Sequence, residues 1–319
     1  MIALDAHGAD GGVDVVVRGA ELSGVPVQVF GPPLTAITNE QDPALAARSR
    51  TDASIVRAAR AVADGDADAL VSAGPTGATL AAAVLHIKRI RGVHRPAVAA
   101  LLPIPGGKPT LLLDAGANVE VRPEHLVQFA YMGATFMEAV LGVANPRVGL
   151  LSNGEEAKKG TEDVIEAHAR LAEGKLNFAG NVEGSDVTNG VVDVVVTDGF
   201  TGNVALKLME GTASTVTGAI RDAIKSSPVS AIGGLLIRGR VAKLREQIDP
   251  NATGGAILLG VRKPVVIAHG KSSPEGIANA VRLAQRAVDE QMVEKTAALL
   301  GSAGVLRSVP AASVAQPDD

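Results

Sequence analysis

Short runs of apolar, mostly β-branched residues alternate along this chain with longer stretches in which apolar residues recur every three or four positions. The short runs are typical of strands buried on both faces, and the longer stretches are typical of helices with one apolar side. The pattern predicts strands at residues 2–5, 25–30, 67–72, 97–102, 110–113, 148–151, 176–179, 191–197 and 264–268. We therefore predict an α/β fold of three αβα layers, in which helices cover both faces of a mostly parallel sheet.

The same pattern predicts helices at residues 13–23, 54–63, 78–90 and 161–173, and helices that begin near residues 123, 202 and 274. Thr76 is the expected N-cap of the helix over 78–90, because its hydroxyl oxygen can accept a first-turn N–H. Residues 226–256 look irregular, and residues 301–319 look like a flexible tail. No linker divides the remainder, so we treat residues 1–300 as a single elaborated α/β domain.

Composition narrows the range of functions. Aromatic residues make up 2% of the chain, Trp is absent and the formal net charge is −4, so we expect no nucleic-acid binding. The lack of Cys excludes disulfides, thiolate nucleophiles and Cys-ligated zinc. No uninterrupted apolar run reaches the ~18 residues of a membrane-spanning helix, and the first residues lack the pattern of a signal peptide. We expect a cytoplasmic protein.

Four predicted strands end in a loop that combines glycine with a polar residue. These loops are Ser72-Ala73-Gly74, Asp114-Ala115-Gly116-Ala117-Asn118, Asn153-Gly154 and Asp198-Gly199. In a parallel sheet they would meet at one edge, where glycines let backbone N–H groups approach a ligand. The helix after Asp198 would add its N-terminus, the Thr201 hydroxyl and the Asn203 amide, and helix N-termini favour anions. The loops therefore predict a site for an anion the size of phosphate.

The sequence lacks the fingerprints of nucleotide-binding proteins. Residues 5–12 are not a G-x-G-x-x-G motif, and Gly270-Lys271-Ser272 lacks the earlier glycine of a P-loop. The six histidines include no H-x-x-x-H pair, and we expect neither a cofactor nor a metal. Lys159 is the cation that we expect beside the anion, although a solvated charged loop is the alternative. His269 follows the last strand and either lies near the site or serves as a structural hydrogen-bonding group.

Two basic stretches have more than one interpretation. Residues 86–95 contain four lysines and arginines and no acid, which suits an acidic protein partner or the C-terminus of a helix. Between Asp222 and Glu246 the chain has basic and apolar residues but no acid. That segment suits an anionic membrane surface, a subunit interface or ordinary packing.

Eight motifs, taken in order, resemble those of the phosphate acyltransferases of bacterial phospholipid synthesis. They are Ser72-Ala73-Gly74-Pro75-Thr76-Gly77-Ala78, Arg95-Pro96-Ala97, Asp114-Ala115-Gly116-Ala117-Asn118, Arg122-Pro123-Glu124-His125, Gly154-Glu155-Glu156-Ala157-Lys158-Lys159-Gly160, Gly180-Asn181-Val182-Glu183-Gly184, Asp198-Gly199-Phe200-Thr201-Gly202-Asn203 and Ala268-His269-Gly270. Each motif alone is weak, but eight in register are specific. The resemblance extends to about residue 297.

The resemblance implies a fold like that of phosphotransacetylases and isocitrate-type dehydrogenases, a homodimer, and peripheral attachment to the inner membrane. It implies transfer of a fatty acyl group from acyl carrier protein to inorganic phosphate, which gives acyl phosphate. By the same likeness, Lys159 and Asn203 are the catalytic candidates. The residues expected to bind phosphate or substrate are Ser72, Gly74, Thr76, Gly77, Asp114, Asn118, Asp198, Thr201, Gly202 and His269.

Three other functions stay open at this point. One is a phosphotransacylase that uses coenzyme A, and another is a non-catalytic protein that binds phosphate or a membrane. A dehydrogenase of similar fold is the third.

Overall fold

Ten strands form the centre of the molecule. The computed structural model describes residues 1–104, 106–247 and 253–307, with the backbone alone for residues 241–247. Within them the strands are β1 (Ile2–Asp5), β2 (Val27–Phe30), β3 (Ala69–Ser72), β4 (Ala97–Leu102), β5 (Thr110–Leu113), β6 (Val148–Leu151), β7 (Phe178–Val182), β8 (Val194–Val196), β9 (Ala256–Leu259) and β10 (Val265–Ile267). They form one sheet in the order β2-β1-β3-β10-β9-β4-β5-β8-β6-β7.

The sheet changes direction in its middle. Six neighbouring pairs of strands are parallel, and the pairs β10–β9, β9–β4 and β4–β5 are antiparallel. The predicted mostly parallel sheet is therefore confirmed. The antiparallel pairs nevertheless make β1, β2, β3 and β10 run one way and β5, β6, β7 and β8 run the other way. The carboxyl ends of these two groups consequently lie at opposite edges of the sheet.

Helices cover both faces, which confirms the αβα layers. They are α1 (Val13–Ser23), α2 (Pro43–Ser49), α3 (Ser54–Asp64), α4 (Thr76–Ala82), α5 (Pro123–Ala139), α6 (Glu162–Ala172), α7 (Gly184–Asn189), α8 (Gly199–Lys225), α9 (Pro228–Gln247), α10 (Pro274–Asp289) and α11 (Met292–Ser302), and α4 continues as a π-helical turn at Ala83–Ile87. Successive strand residues point to opposite faces. Ile2 and Leu4 accordingly belong to the buried cluster that includes residues of α5 and α10, whereas Ala3 belongs to the cluster that includes residues of α3 and α4.

The structure corrects three local predictions. α8 begins at Gly199 rather than Gly202, because the Asp198 carboxylate accepts the Thr201 N–H at 2.8 Å and caps the helix there. Thr76 is the first residue of α4 and not its N-cap, which is Pro75. The region predicted to be irregular contains α9, and only residues 248–252 of it lie outside the described residues.

The C-terminal boundary also differs from the predicted one. α11 extends to Ser302, and the Arg307 N–H donates to the Gly92 carbonyl oxygen at 2.9 Å, so residues 301–307 are packed against the rest of the chain. The remainder of the predicted tail, residues 308–319, lies outside the described residues. The treatment of residues 1–300 as a single domain stays a prediction. Within the described parts of the chain, we find no helix with the length and apolar character needed to cross a membrane.

Candidate active site

The predicted loops leave the sheet at two edges, which corrects the expectation that all of them share one. The loops after β3, β5 and β8 approach each other over one face of the central strands instead, and the loop after β6 does not join them. After β5 the chain folds back over β4, where the Ala115 N–H donates to the Val98 carbonyl oxygen at 2.7 Å. α8 passes over the same face, and Leu206 packs against the cluster that contains Val98. Loops that follow β3 and β10 therefore meet loops that follow β5 and β8.

A cavity of about 250 Å³ lies where these loops meet, and we call it the central cavity. Residues from the first turns of three helices line it: Thr76 of α4, Asn203 of α8 and Gly276 of α10. Because helix N-termini carry positive partial charge, this side of the cavity favours an anion. Other parts of its lining are apolar and accept a hydrocarbon group; they include Val98, Ala100, Leu101, Ala115, Leu206, Ala256 and Ile267.

Most of the backbone N–H groups at the start of α8 already have partners. The Gly199 N–H donates to the Asn118 carbonyl oxygen at 2.7 Å, and the Gly202 N–H donates to the Asp198 carbonyl oxygen at 3.0 Å. The Asp198 carboxylate takes the Thr201 N–H. The Gly202 N–H, which the sequence offered as a phosphate ligand, is thus engaged within the helix in this structure. Asp198 caps α8.

The glycines of this turn let α8 approach the loop after β5. A Cβ atom on Gly199 would lie 2.6 Å from the Asn118 carbonyl oxygen, and one on Gly202 would overlap the Asp114 carbonyl oxygen. Only glycine allows this packing. Its consequence is that Asn203, which follows Gly202, projects from the first turns of α8 at the rim of the central cavity.

Asp114 holds the loop after β5 in place. One carboxylate oxygen accepts the N–H groups of Val98, Gly116 and Ala117 at 2.9–3.1 Å, and the other accepts the backbone and side-chain N–H groups of Asn118, both at 2.8 Å. Burial raises the pKa of Asp114, and these donors offset only part of that effect. Asp114 and Asn118 are both buried, so they position the loop.

Ser72 has a similar structural role at the end of β3. Its hydroxyl donates to the buried Asp5 carboxyl at 2.7 Å and accepts the Gly74 N–H at 3.0 Å. Ser54 donates to the second oxygen of Asp5 at 2.5 Å, and burial raises the pKa of Asp5. Ser72 is fully buried and does not line the central cavity. The sequence had placed it among the residues that bind phosphate.

Thr76 and the start of α4 are better placed for an anion. Thr76 is exposed and lines the central cavity, whereas the neighbouring Gly74 and Gly77 do not. The first N–H groups of a helix have no acceptor within the helix, and the N-cap Pro75 has no side-chain group to accept them. In contrast, α8 and α10 are capped by Asp198 and Ser273.

His269 lines the central cavity at the end of β10. Its Nδ1 accepts the Lys271 N–H at 3.1 Å. A neutral imidazole whose Nδ1 accepts a hydrogen bond carries its proton on Nε2. His269 can therefore offer an Nε2–H donor to an anion.

Lys159 lies apart from this group. It follows β6, the neighbour of β8, so its loop leaves the same sheet edge as Asp198. The loop is held by Asn181, whose side-chain amide donates to the Glu156 carbonyl oxygen at 2.8 Å. Lys159 is exposed, it does not line the central cavity, and it forms no ion pair with any described residue. The structure thus brings Asn203, Thr76 and His269 together at the central cavity. Lys159 lies outside that cavity, in the loop after β6, and β6 is the neighbour of β8 in the sheet.

The chain is similar in sequence to known proteins over most of its length. Residues 34–295 match the family described as fatty acid synthesis protein. A phosphate acyltransferase from a Geobacillus species is 43% identical over 315 residues, which cover 92% of this chain and 96% of that relative. The chain belongs to the phosphate acyltransferase family.

A second relative agrees with this placement, and a solved structure has the same fold. A phosphate acyltransferase from Elusimicrobium minutum is 49% identical over 257 residues, which cover 81% of this chain and 75% of that relative. A phosphotransacetylase from Streptococcus pyogenes aligns with a TM-score of 0.58 at 16% identity, over 91% of this chain and 94% of that chain. The predicted phosphotransacetylase-like fold is confirmed.

Sequence reasoning missed several lining residues of this family member. Lys207 and Glu210 line the central cavity one and two turns beyond Asn203 and form an ion pair of 2.9 Å between Nζ and Oε2. Ser272 lines it just before α10. Helical spacing from Asn203 would have pointed to Lys207, since residues four apart share a helix face. In the sequence, Ser272 stood out only as part of Gly270-Lys271-Ser272, which was rejected as a P-loop.

Proposed function

We propose that this member of the phosphate acyltransferase family transfers a fatty acyl group from acyl carrier protein to inorganic phosphate. A phosphate oxygen attacks the thioester carbonyl carbon and forms the new C–O bond. The C–S bond then breaks, and the pantetheine thiolate leaves and takes a proton from solvent. Phosphate is largely ionised near neutral pH and a thiolate is a good leaving group, so the reaction depends on positioning and charge stabilisation.

The central cavity is the observation that supports this proposal most. Its uncapped α4 start, with Thr76 and the Nε2–H of His269, suits phosphate. Its apolar lining suits the beginning of an acyl chain. The Asn203 amide stands at the rim and would donate to the thioester oxygen as negative charge develops there.

We also propose that Lys159 stabilises the oxyanion, because its exposed ammonium has no ion-pair partner among the described residues and its loop leaves the same edge as Asp198. Lys159→Ala should lose most turnover, by about 100-fold or more for a removed oxyanion donor, while the thermal unfolding temperature stays unchanged. Lys158→Ala is the matched control, since Lys158 is exposed in the same loop. Wild-type turnover in Lys159→Ala would refute the role.

The reaction is tested by mixing purified protein with palmitoyl carrier protein and phosphate. We expect release of free carrier protein that depends on phosphate, together with formation of palmitoyl phosphate. A parallel reaction with palmitoyl-CoA separates the proposal from a phosphotransacylase that uses coenzyme A. Turnover with palmitoyl-CoA alone would favour that second activity, and phosphate binding without turnover of either donor would favour a non-catalytic protein.

Attachment to the inner membrane and a homodimer are further parts of the proposal. α9 exposes apolar side chains, with Leu235 68% and Leu236 82% accessible, and Arg238 and Arg240 are exposed on the same helix. Such a surface suits an anionic membrane. α8 also exposes Leu208, at 68%, which suits contact with a second copy of the chain. Light scattering of the purified protein tests the dimer.

A further inference from the structure

A second and larger cavity, of about 720 Å³, lies beside the central cavity, and we call it the basic cavity. The loop after β5 separates the two. Ala115 and Gly116 line the central cavity, whereas Ala117 and Asn118 line the basic cavity. A ligand held in the basic cavity is therefore one loop away from Asn203.

Positive charge dominates the lining of the basic cavity. Four arginines supply this charge, Arg89, Arg95, Arg122 and Arg307, and two histidines, His94 and His125, complete this part of the lining. Glu120 is the one acid among its described lining residues. Arg89 is engaged with the carbonyl oxygens of Val93 and His94. The other three guanidinium groups are exposed and form no ion pair with a described carboxylate.

Buried hydrogen bonds fix the segments that carry these charges. Gln128 is fully buried on α5, and its side chain accepts the His94 N–H at 2.8 Å and donates to the carbonyl oxygens of Gly92 and Val305. The Arg307 N–H completes this arrangement by donating to Gly92. The arginines thus stand on a preformed frame built from three separate parts of the chain.

The same residues do not suit a metal ion. His94, Glu124 and His125 place possible ligand atoms within 4.8 Å of one another. However, Nδ1 of His125 accepts the Arg122 N–H at 3.1 Å, so the neutral ring carries its proton on Nε2 and offers no second lone pair. Burial and the neighbouring arginines lower the pKa of both histidines. Cations are unfavourable here, and anions are favourable.

We propose that the basic cavity binds carboxylates on the surface of a protein partner, and that this partner is the acyl carrier protein of the proposed reaction, on which this assignment rests. The guanidinium groups are exposed and spread around an open cavity, which fits several carboxylates on one protein face better than a single small anion. Docking at this place brings the thioester arm to the loop that borders the central cavity. Complementary charge also accelerates association.

The test uses carrier protein without its phosphopantetheine arm, so that binding is measured without catalysis. We expect Arg95→Ala and Arg122→Ala each to raise the Kd by about tenfold, the effect of one close charge pair. Glu120→Gln should lower the Kd, and added salt should weaken binding by the wild type. Arg91→Ala is the matched control: it removes an exposed arginine of the same segment that does not line the cavity, and it should stay within about twofold.

Three outcomes would overturn the assignment. The first is equal loss of binding in Arg91→Ala and Arg95→Ala, which would mean non-specific attraction. The second is binding only of the carrier that bears its arm, with phosphopantetheine alone as an effective competitor, which would assign the cavity to the phosphate of the arm. The third is no binding by the wild type at low salt. If turnover fails while the arginine-dependent binding remains, the proposed reaction is wrong and the docking surface stands.

Discussion

At the scale of single residues, the candidate site depends on close packing and on buried carboxyl groups whose partners are all donors. Asp114 and Asp5 hold the two loops that approach from opposite edges of the sheet. Gly199 and Gly202 let α8 lie against the first of these loops. These residues set the position of Asn203 and Thr76, although they do not face a ligand themselves.

The packing at Gly202 gives the first prediction. Gly202→Ala should lower the free energy of unfolding by about 1–3 kcal/mol, the usual result of overpacking, because its Cβ would overlap the Asp114 carbonyl oxygen. Gly211→Ala is the control on the same helix, where a Cβ meets nothing within 4 Å, and it should raise stability by about 0.5–1 kcal/mol. Urea denaturation of both variants measures the difference. Equal effects would contradict the packing argument.

Buried and half-buried histidines predict how one part of the stability depends on pH. Burial is the main cause that lowers the pKa of His86, His94 and His125 in the folded protein. At these three groups the unfolded chain binds more protons, so their contribution to the free energy of unfolding should fall as the pH drops below about 6.5.

The variant that isolates one of these groups is His125→Asn, because Asn can still accept the Arg122 N–H but does not titrate. Its stability should fall less steeply between pH 7 and pH 5 than that of the wild type. Urea denaturation at several pH values gives the two slopes. Identical slopes would show that His125 does not contribute.

At the scale of elements, the hydrophobic pattern was sufficient where one cause decides the structure. β4 and β5 match their predicted bounds because they are continuous buried apolar runs. α8 begins three residues early because the Asp198 carboxylate, and not the apolar spacing, sets its first turn. α9 was missed because its exposed apolar residues give no buried face to detect. β9 was missed although it is a short buried apolar run like β4 and β5.

The exposed face of α9 gives a prediction about the membrane. Leu235→Glu with Leu236→Glu should abolish binding to vesicles of anionic phospholipid, because the charges oppose burial among acyl chains. Turnover of soluble substrate should not change. Leu45→Glu is the matched control, since Leu45 is 67% exposed on α2, away from α9. Co-sedimentation with vesicles measures binding, and retained binding in the double variant would remove α9 from the proposal.

At the scale of the whole molecule, the reversal of the sheet decides how the candidate site is built. The sequence predicted the chemistry that follows the strands, with Thr76, Asn203 and His269 coming after β3, β8 and β10. It could not predict that β9, β4 and β5 turn the second half of the sheet around. Strand order and direction depend on contacts between distant segments, which local patterns do not contain. Loops from both edges therefore meet over one face of the sheet, at the central cavity, and Lys159 lies outside that cavity.

A crystal structure of the protein grown with phosphate tests the central claim most directly. The account predicts phosphate density in the central cavity, at the start of α4, within hydrogen-bond distance of Thr76 and His269 and facing Asn203. The same crystals of Asn203→Ala should retain that phosphate, because Asn203 is assigned to the thioester oxygen. Phosphate bound beside Lys159 and outside the central cavity, or bound nowhere along these loops, would contradict the account.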